Sequence, residues 1–555
     1  MGCCSNKDIL VKKNLYPNYS PTPSAMLPYS YHFDLRKKYT FIRILNRGSF
    51  GIVKLFKDKT FENVLYAVKS IPKENLNAKK FSVIKKEIEN LSNLDHPNIV
   101  VYYATIEDNN YFHIIMEYLS GPDIMGIFLH KRSEISHKSG KYILYQVLCA
   151  LSYIHSQNIV HRDIKPENII CAVNNGKYDI KLIDFGLTDN VNDDCHERAG
   201  SPLYMAPEAI NMKISPKSDV WSLGVMYYCY CYGVLPFDDP DENVLFNNIL
   251  NKDINYSLPL LDDITQDDID ILKKMLDKDE KKRVSAFEAL NHPVFVNISK
   301  ELEYESTEKY LNDFFSKKTL NLIKSYVKCN ILKKTFLYLY TLLKPFETCS
   351  YYRKMFMALD NYFDSYKGYL KVKNILDEFI KRKLVEEEDY KIFTFIDCYN
   401  PNKGKEVLKE NNIKNPKKKV RHSLILETLL EIDNWGIIEY TVFVSFFFIN
   451  ELCLENKKSI EEKLMYGFQL FCNEDSFIEE GNNLSENSNN TINTYEIDKI
   501  EKLKYFITKD SFKKFLYKHF FPYIDSEEDI DNFFEENRNP INYREFQKLI
   551  ISNEI

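Results

Sequence analysis

Four groups of residues in this 555-residue chain have types and spacings suited to chemistry. The first is a glycine turn, Asn46-Arg47-Gly48-Ser49-Phe50-Gly51-Ile52-Val53, between strand-like stretches at Phe41 to Leu55 and Tyr66 to Ile71. The second is Tyr66-Ala67-Val68-Lys69, with Glu87 on a helical stretch, Phe81 to Leu94, able to face the lysine. The third is His161-Arg162-Asp163-Ile164-Lys165-Pro166-Glu167-Asn168, and the fourth Asp184-Phe185-Gly186, followed by Ala206-Pro207-Glu208. Gly48 and Gly51 would let backbone N–H groups approach phosphate oxygens with no Cβ in the way. The chemistry such a set suits is phosphoryl transfer, which needs alignment and charge neutralisation more than covalent help. Singly, each group has a plainer reading: a glycine-rich turn, a solvated strand lysine, a turn aspartate. Their combination and order make that plainer reading untenable.

The motifs resemble the protein-kinase signature set over roughly Tyr39 to Phe295. The resemblance implies that Lys69 holds the α- and β-phosphates of ATP and that Glu87 orients it through an ion pair. It implies Mg²⁺ ligation by Asp184 and Asn168, and proton acceptance from a substrate hydroxyl by Asp163. Lys165 would steady the γ-phosphate, and it marks kinases that act on Ser or Thr. Asn46, Gly48, Gly51, Val53, Ala67, Met116 as gatekeeper, Glu117 and Leu119 of the hinge, Asp123 and Ile170 would line the nucleotide site. Asp123 and Glu167 also lie where related kinases accept a basic side chain upstream of the target residue. Glu208 and Arg283 resemble a buried pair tying the activation segment to the carboxy-terminal lobe.

Two departures stand out. Asn46 replaces the first glycine of the loop; Asn tolerates left-handed backbone, so the turn is expected to form with weaker ATP binding. Between Asp184-Phe185-Gly186 and Gly200-Ser201-Pro202 the only hydroxyl residue is Thr188, whereas Asp193, Asp194 and Glu197 supply carboxylates. One of these would serve as the anionic partner of Arg162, or they form a solvated loop; the sequence leaves both open.

After Phe295, Leu311 to Leu343 has a helical pattern with Lys317, Lys318, Lys324, Lys328, Lys333 and Lys334 among apolar residues. A basic amphipathic helix here resembles the autoinhibitory junction of calcium-dependent protein kinases, in which four EF-hands follow. The EF-hand ligands are incomplete, since such a loop needs oxygens at positions 1, 3, 5 and 12 and glycine at 6. The best candidate, Glu431 to Val442, offers Glu431, Asp433 and Glu439 with Ile438 at position 8, but Trp435 and Val442 at positions 5 and 12. The last, Phe534 to Glu545, offers Glu536, Asn542 and Glu545 with Ile541, but Phe534 comes first and Asn539 replaces glycine. Asp360 to Asn374 keeps Gly368 and Leu370, and a split third loop runs from Asn473-Glu474-Asp475 to Ile507-Thr508-Lys509-Asp510. Either Ca²⁺ binds weakly and relieves inhibition, or the tail is a fixed regulator or docking surface; ligand count leans to the second.

The start, Met1-Gly2-Cys3-Cys4-Ser5-Asn6, presents Gly2 for myristoylation and Cys3 and Cys4 for palmitoylation, with Lys7, Lys12 and Lys13 nearby. Asn6 stands where the acceptor pattern has Ser or Thr. Composition is that of a folded chain, with 44% hydrophobic and 28% charged residues, and a net charge of -6 argues against a general nucleic-acid binder. Tyr440 to Ile449 is too short to span a bilayer and reads as a core helix. Twelve scattered cysteines with no CxxC pair read as reduced thiols.

The expected fold is α+β, a two-lobed protein-kinase fold followed by an all-α EF-hand-like domain. The expected segments are an acylated tail and linker (1–38), the kinase domain (39–295), junction helices (296–345) and the degenerate EF-hand domain (346–555). Insertions fall near 400–420 and 479–494. The implied activity is that of a monomeric Ser/Thr kinase using ATP and Mg²⁺, with Ca²⁺ open, tethered by its acyl chains to the cytoplasmic face of a membrane. The competing class is a kinase-fold scaffold without transfer, and intact Lys69, Asp163, Asn168 and Asp184 weigh against it.

Overall fold

β-Branched and aromatic residues alternate between Tyr39 and Glu117, and this pattern builds a sheet. A computed structural model describes residues 30–32, 35–48, 51–59, 64–74, 78–124, 127, 137–174, 177–191, 198–258, 264–295, 307–342, 344, 348–363, 368–384, 437–449, 464, 507–509, 511–512, 534, 541 and 543–551. They fall into two units, Met1–Ser92 with Tyr102–Tyr118, and Asn93–Val101 with Leu119–Ile555. The motifs of the first unit are therefore described separately from those of the second.

In the first unit, β1 (Ser30–His32), β2 (Tyr39–Gly48), β3 (Gly51–Asp58), β4 (Leu65–Pro72), β5 (Tyr102–Glu107) and β6 (Tyr111–Glu117) form one six-stranded sheet. Its order is β1-β5-β6-β4-β3-β2, antiparallel except for β1 against β5. Tyr39, Phe56, Tyr66, Val68, Ile106 and Ile115 form a buried cluster with Leu35. Helix α1 (Ala78–Ser92) buries Ile84, Ile88 and Leu91, a helical spacing that also turns Glu87 inward.

The second unit is organised around α2 (His137–Ser156) and α3 (Pro216–Tyr232). Helix α3 starts at Ser215, whose hydroxyl oxygen accepts the Lys217 N–H, carries Pro216 in its first turn, and stops at Gly233 with φ 73°. Its interior is apolar all round, as expected of a helix with no solvent face. Small antiparallel pairs, β7 (Ile159–Val160) with β10 (Asp189–Asn190) and β8 (Ile169–Asn174) with β9 (Lys177–Leu182), carry the polar motifs.

Glu208 and Arg283 form the expected buried pair, with Arg283 Nη2 donating to Glu208 Oε2 at 2.9 Å. Its remaining groups are satisfied. Ser218 Oγ donates to Glu208, Arg283 donates to the carbonyls of Lys217 and Asp277, and the guanidinium lies 5.0 Å from the Trp221 ring centre. Such a pair is costly to break because the survivor stays buried and charged.

Towards the carboxy terminus the chain is helical: α4 (Thr307–Phe314), α5 (Lys317–Lys328), α6 (Ile331–Leu342), α7 (Ser350–Tyr362), α8 (Val372–Lys381), α9 (Tyr440–Phe448) and α10 (Tyr543–Ile551). The stretch expected as one basic helix is thus three. Ser316 accepts the Thr319 N–H and Asn330 accepts the Lys333 N–H, and these side-chain caps restart the helix twice. Nor are its lysines all on a wet face, because Lys333 and Lys334 are buried whereas Lys317 and Lys318 are exposed.

Aromatic rings join these helices to α9. Phe314 stacks on Phe443 at 5.4 Å, Tyr326 meets Phe446 at 4.7 Å and Tyr340 meets Phe448 at 5.9 Å. Each such pair adds about 0.5–1.5 kcal/mol beyond area burial. Every residue of α9 is buried, as expected of a core helix. Among the described residues no helix is long and apolar enough to cross a membrane. Two short antiparallel pairings complete this region, β11 (Tyr369–Lys371) with β12 (Ile437–Glu439), and an isolated bridge between Ile507 and Ile541.

Replacing Glu208 with Ala should lower unfolding stability by about 3–5 kcal/mol, the usual cost of orphaning a buried partner. Urea unfolding of the purified chain measures it, and a loss below about 1 kcal/mol would deny the pair its structural role.

Candidate active site

The first unit carries the phosphate-loop and lysine residues. Strand register sets Val53 opposite Lys69, Ala67 opposite Met116 and Tyr66 opposite Glu117. Lys69 Nζ lies 2.6 Å from Glu87 Oε1, and both side chains are buried. The ion pair implied by the motifs is formed, so the amine is fixed before any ligand arrives.

The turn differs from expectation at Asn46. Asn46 is not left-handed; it sits in β2 opposite Val53, and its Oδ1 accepts the Arg47 N–H at 2.7 Å. The strand pairing continues through it, so no left-handed residue is required there. Gly51 also lacks a positive φ, but a Cβ there would lie 2.5 Å from the Ser70 carbonyl oxygen, so close strand approach demands the glycine.

The second unit gathers the acids and the amide. Asp219, in the first turn of α3, accepts the backbone N–H groups of His161 and Arg162, each at 2.9 Å, and a hydrogen bond from His155 Nε2 at 2.9 Å. It holds the His161–Arg162 loop in a conformation the chain would not otherwise favour, since Arg162 has φ 67°; Asp184, on the next motif, also has a positive φ of 60°. The His161 ring meets Phe185 edge-on at 4.9 Å. Burial pushes the His161 pKa down, outweighing the opposing pull of Asp219, Asp163 and Asp184. With Nε2 facing the Ile183 carbonyl at 3.3 Å, the neutral ring carries its proton there, and Nδ1 accepts the Asp163 N–H at 3.4 Å.

Asp163 is the hub. Its carboxylate accepts from Ser201 Oγ at 2.9 Å and Asn168 Nδ2 at 2.9 Å, and lies 2.7 Å from Lys165 Nζ. Lys165 also donates to Ser201 at 3.0 Å. A carboxylate offers about four lone-pair positions, so after these three donors one acceptor position is left for an incoming hydroxyl.

Asn168 uses its amide nitrogen on Asp163 and therefore offers its amide oxygen elsewhere. Its carbonyl accepts the Ile183 N–H at 2.8 Å, which ties it to the residue before exposed Asp184. One carboxylate and one amide oxygen fit Mg²⁺, which takes hard oxygen ligands, keeps waters and borrows the rest from substrate phosphates. Among the described residues no cluster of three or more His, Cys, Asp or Glu forms an all-protein metal site.

Arg162 forms its ion pair with Asp189 on β10. Asp193, Asp194 and Glu197, the sequence candidates for that charge, lie outside the described residues. Asp123 bridges Ile170, and Cys171 N–H donates to the Pro122 carbonyl at 2.8 Å, so two expected nucleotide-lining residues are neighbours. Glu167 is exposed at the start of a short 3-10 turn, open to a basic side chain. Leu119 belongs to the second unit and Met116 and Glu117 to the first.

Of the candidate calcium ligands, Glu431, Asp433, Glu536 and Asn542 lie outside the described residues. Glu439 contributes backbone to β12, and Glu545 is half-buried in α10. Gly2, Cys3 and Cys4 also lie outside them. Sequence reasoning did not single out Asp219, Ser201 or Asp189. Asp219 had a signal, an acid opening an otherwise apolar helix just after Pro216.

A family model described as a protein kinase domain matches residues 39–295. Those residues, a little under half of the chain, hold Lys69, Glu87, Asp163, Asn168 and Asp184. Among its relatives, CDPK-related kinase 1 of Arabidopsis thaliana is 30% identical over 358 residues, 63% of this chain and 60% of that protein. Calcium-dependent protein kinase 4 of Plasmodium berghei is 34% identical over 288 residues, 51% of this chain and 54% of that one. Calcium-dependent protein kinase 4 of Arabidopsis thaliana is 32% identical over 322 residues, 57% and 62% respectively. The chain spans about 60% of the length of the first of these relatives.

Ser201→Ala should reduce kcat for phosphate transfer on the order of tenfold, because misplacing a positioned group is costly, with KM for ATP little changed. Ser201→Thr, which restores the hydroxyl, should recover most of it. Steady-state kinetics checks both, and an unaffected Ser201→Ala enzyme would remove Ser201 from the network.

Proposed function

We propose that the chain transfers the γ-phosphoryl group of ATP to Ser or Thr hydroxyls of protein substrates. The observation that carries this reading is the Asp163 carboxylate, fixed by Ser201, Asn168 and Lys165 with one acceptor position to spare. A substrate hydroxyl donating to that position has its lone pair aimed and its proton accepted as the new bond forms. Lys165 brings a cation beside the transferring group, and Lys69, held by Glu87, brings another for the remaining phosphates. Mg²⁺ on Asp184 and Asn168 would neutralise phosphate charge. Arg162 is neutralised by Asp189, so the fold supplies within the chain the anion that an activation-loop phosphate would otherwise provide.

The carboxy-terminal region is read as an EF-hand-like tail. Leu370 pairs with Ile438 and Ile507 with Ile541, and Ile438 and Ile541 are the position-8 residues of the two best candidate loops. Its calcium chemistry is poor. Val442, where the bidentate Glu belongs, and Phe534, at position 1 of the last loop, are both buried apolar side chains. These observations favour a fixed regulatory tail over a calcium sensor, although two of the relatives are named for calcium dependence. Tethering through myristate on Gly2 and palmitate on Cys3 and Cys4 is the proposed localisation device, and the acting species is a monomer.

Purified chain incubated with ATP, Mg²⁺ and a peptide library should phosphorylate Ser and Thr peptides, preferring Arg or Lys upstream through Asp123 and Glu167. Lys69→Met and Asp184→Asn should each lower the rate by on the order of a hundredfold or more. Equal incorporation by all three proteins would leave only the scaffold reading.

Expressed in a eukaryotic cell, the wild-type chain should sediment with membranes and take up a myristate label. Gly2→Ala should move it to the soluble fraction, since one remaining anchor signal is too weak. A label-free wild-type chain would end the tethering proposal.

A further inference from the structure

Gly368 kept its place in the sequence of the first candidate loop although the acids around it are out of register, and its surroundings explain why. Its φ is +71°, and a Cβ there would lie 2.5 Å from Tyr153 Cδ2 and 2.8 Å from His96 Cδ2. These two rings belong to the kinase domain and stack on each other at 5.1 Å. Asp360, the first acid of that loop, is buried and accepts the Gly368 N–H at 3.2 Å, which holds the turn against the rings.

The second loop of the pair touches the same segment. Asp95 Oδ2 accepts the Thr441 N–H at 2.8 Å and Asp95 Oδ1 accepts the Thr441 hydroxyl at 2.7 Å. A kinase-domain carboxylate thereby satisfies an N–H in the first turn of tail helix α9, a group with no partner inside its own helix. Asp95 is itself held, its N–H donating to Tyr153 Oη at 3.0 Å. A third contact lies on β9, where Asp179 pairs with Arg353 of α7 and accepts from Ser350 Oγ at 2.9 Å, with Asp179 and Arg353 fully buried.

We propose that the loop pair built on β11 and β12 is a docking module whose ligand is the Asn93–Val101 segment of the chain's own kinase domain, and that it works without calcium. Side chains around these two strands are spent on protein: Gly368 lies against two rings, Asp360 accepts that glycine's N–H, and Val442, at the position where a calcium loop carries its bidentate Glu, is buried in the core. The docked segment follows directly on α1, the helix that carries Glu87, so the module anchors the stretch of chain into which that helix runs. The proposal uses the EF-hand-like reading of the tail but not the phosphoryl-transfer reading, and its test does not depend on activity.

Hydrogen–deuterium exchange on the full-length chain tests it, with either millimolar CaCl₂ or a calcium chelator present. Amides of 93–101 should be equally protected in both conditions. Asp95→Ala, which removes the helix cap, and Thr441→Val, which removes the hydroxyl's hydrogen bond to the same buried carboxylate, should each speed their exchange roughly tenfold, and the double variant should go little further than the stronger single one. Gly368→Ala, which attacks the interface from the other loop, should do the same. Should Asp95→Ala fail to fold, Thr441→Val and Gly368→Ala still decide the matter. Protection that appears only with calcium, or that survives both tail substitutions, would overturn the proposal.

Discussion

The geometry of the second unit depends on one buried carboxylate. Asp219 accepts two consecutive backbone N–H groups, and that is what allows Arg162 to sit at φ 67° with Asp163 one residue further on. A non-glycine residue in that region is disfavoured, typically by 1–3 kcal/mol, so the conformation persists only where the surroundings impose it. Helix α3 imposes it because its apolar sides leave no freedom to move and its first turn delivers the acid to a fixed point. The catalytic loop is thus positioned by a helix that takes no part in the chemistry.

The polar network on that frame divides its labour. Asn168 gives its nitrogen to Asp163 and leaves its oxygen for another partner, so on the proposed function a single amide would link the hydroxyl-accepting acid to the Mg²⁺ site. Ser201 and Lys165 complete the shell of Asp163 and, being on different segments, report that the activation segment is in place. Glu208 and Arg283 hold the far end of that segment through contacts that are internal and fully satisfied. With Asp189 on Arg162 and Glu208 on Arg283, both of these cations find their counter-charge inside the chain.

The parts of this architecture that were legible in the sequence are those where chemistry restricts residue type. Lys69, Glu87, Asp163, Asn168 and Asp184 could be read because few other residues do their work, and their spacing is tied to short strands and turns. Asn46 is seated by strand pairing with Val53, just past a register shift after Ile44, and not by the tolerance for left-handed backbone that its residue type suggests. Asp189 was passed over for acids further along because sequence distance does not reveal which carboxylate a β-bridge brings to Arg162. The single basic helix failed for a local reason: Ser316 and Asn330 are caps, and a periodicity count cannot see a cap inside an otherwise apolar pattern.

On the proposed EF-hand-like reading, the tail illustrates how a loop pair can hold together without ion chemistry. Pairing of Leu370 with Ile438, and of Ile507 with Ile541, is made by backbone hydrogen bonds and apolar side chains, none of which needs a metal. Metal binding adds free energy to such a frame, but once rings such as Phe443, Phe446 and Phe448 fill the interior the frame is stable on packing alone. The ligand positions are then released from coordinating an ion. An apolar residue at position 12 strengthens the core that a glutamate would have opened, and a glycine kept for a tight turn becomes the flat spot on which two kinase-domain rings rest. On the proposed EF-hand-like reading, the absent calcium ligands and the contacts with the Asn93–Val101 segment belong to the same stretches of chain.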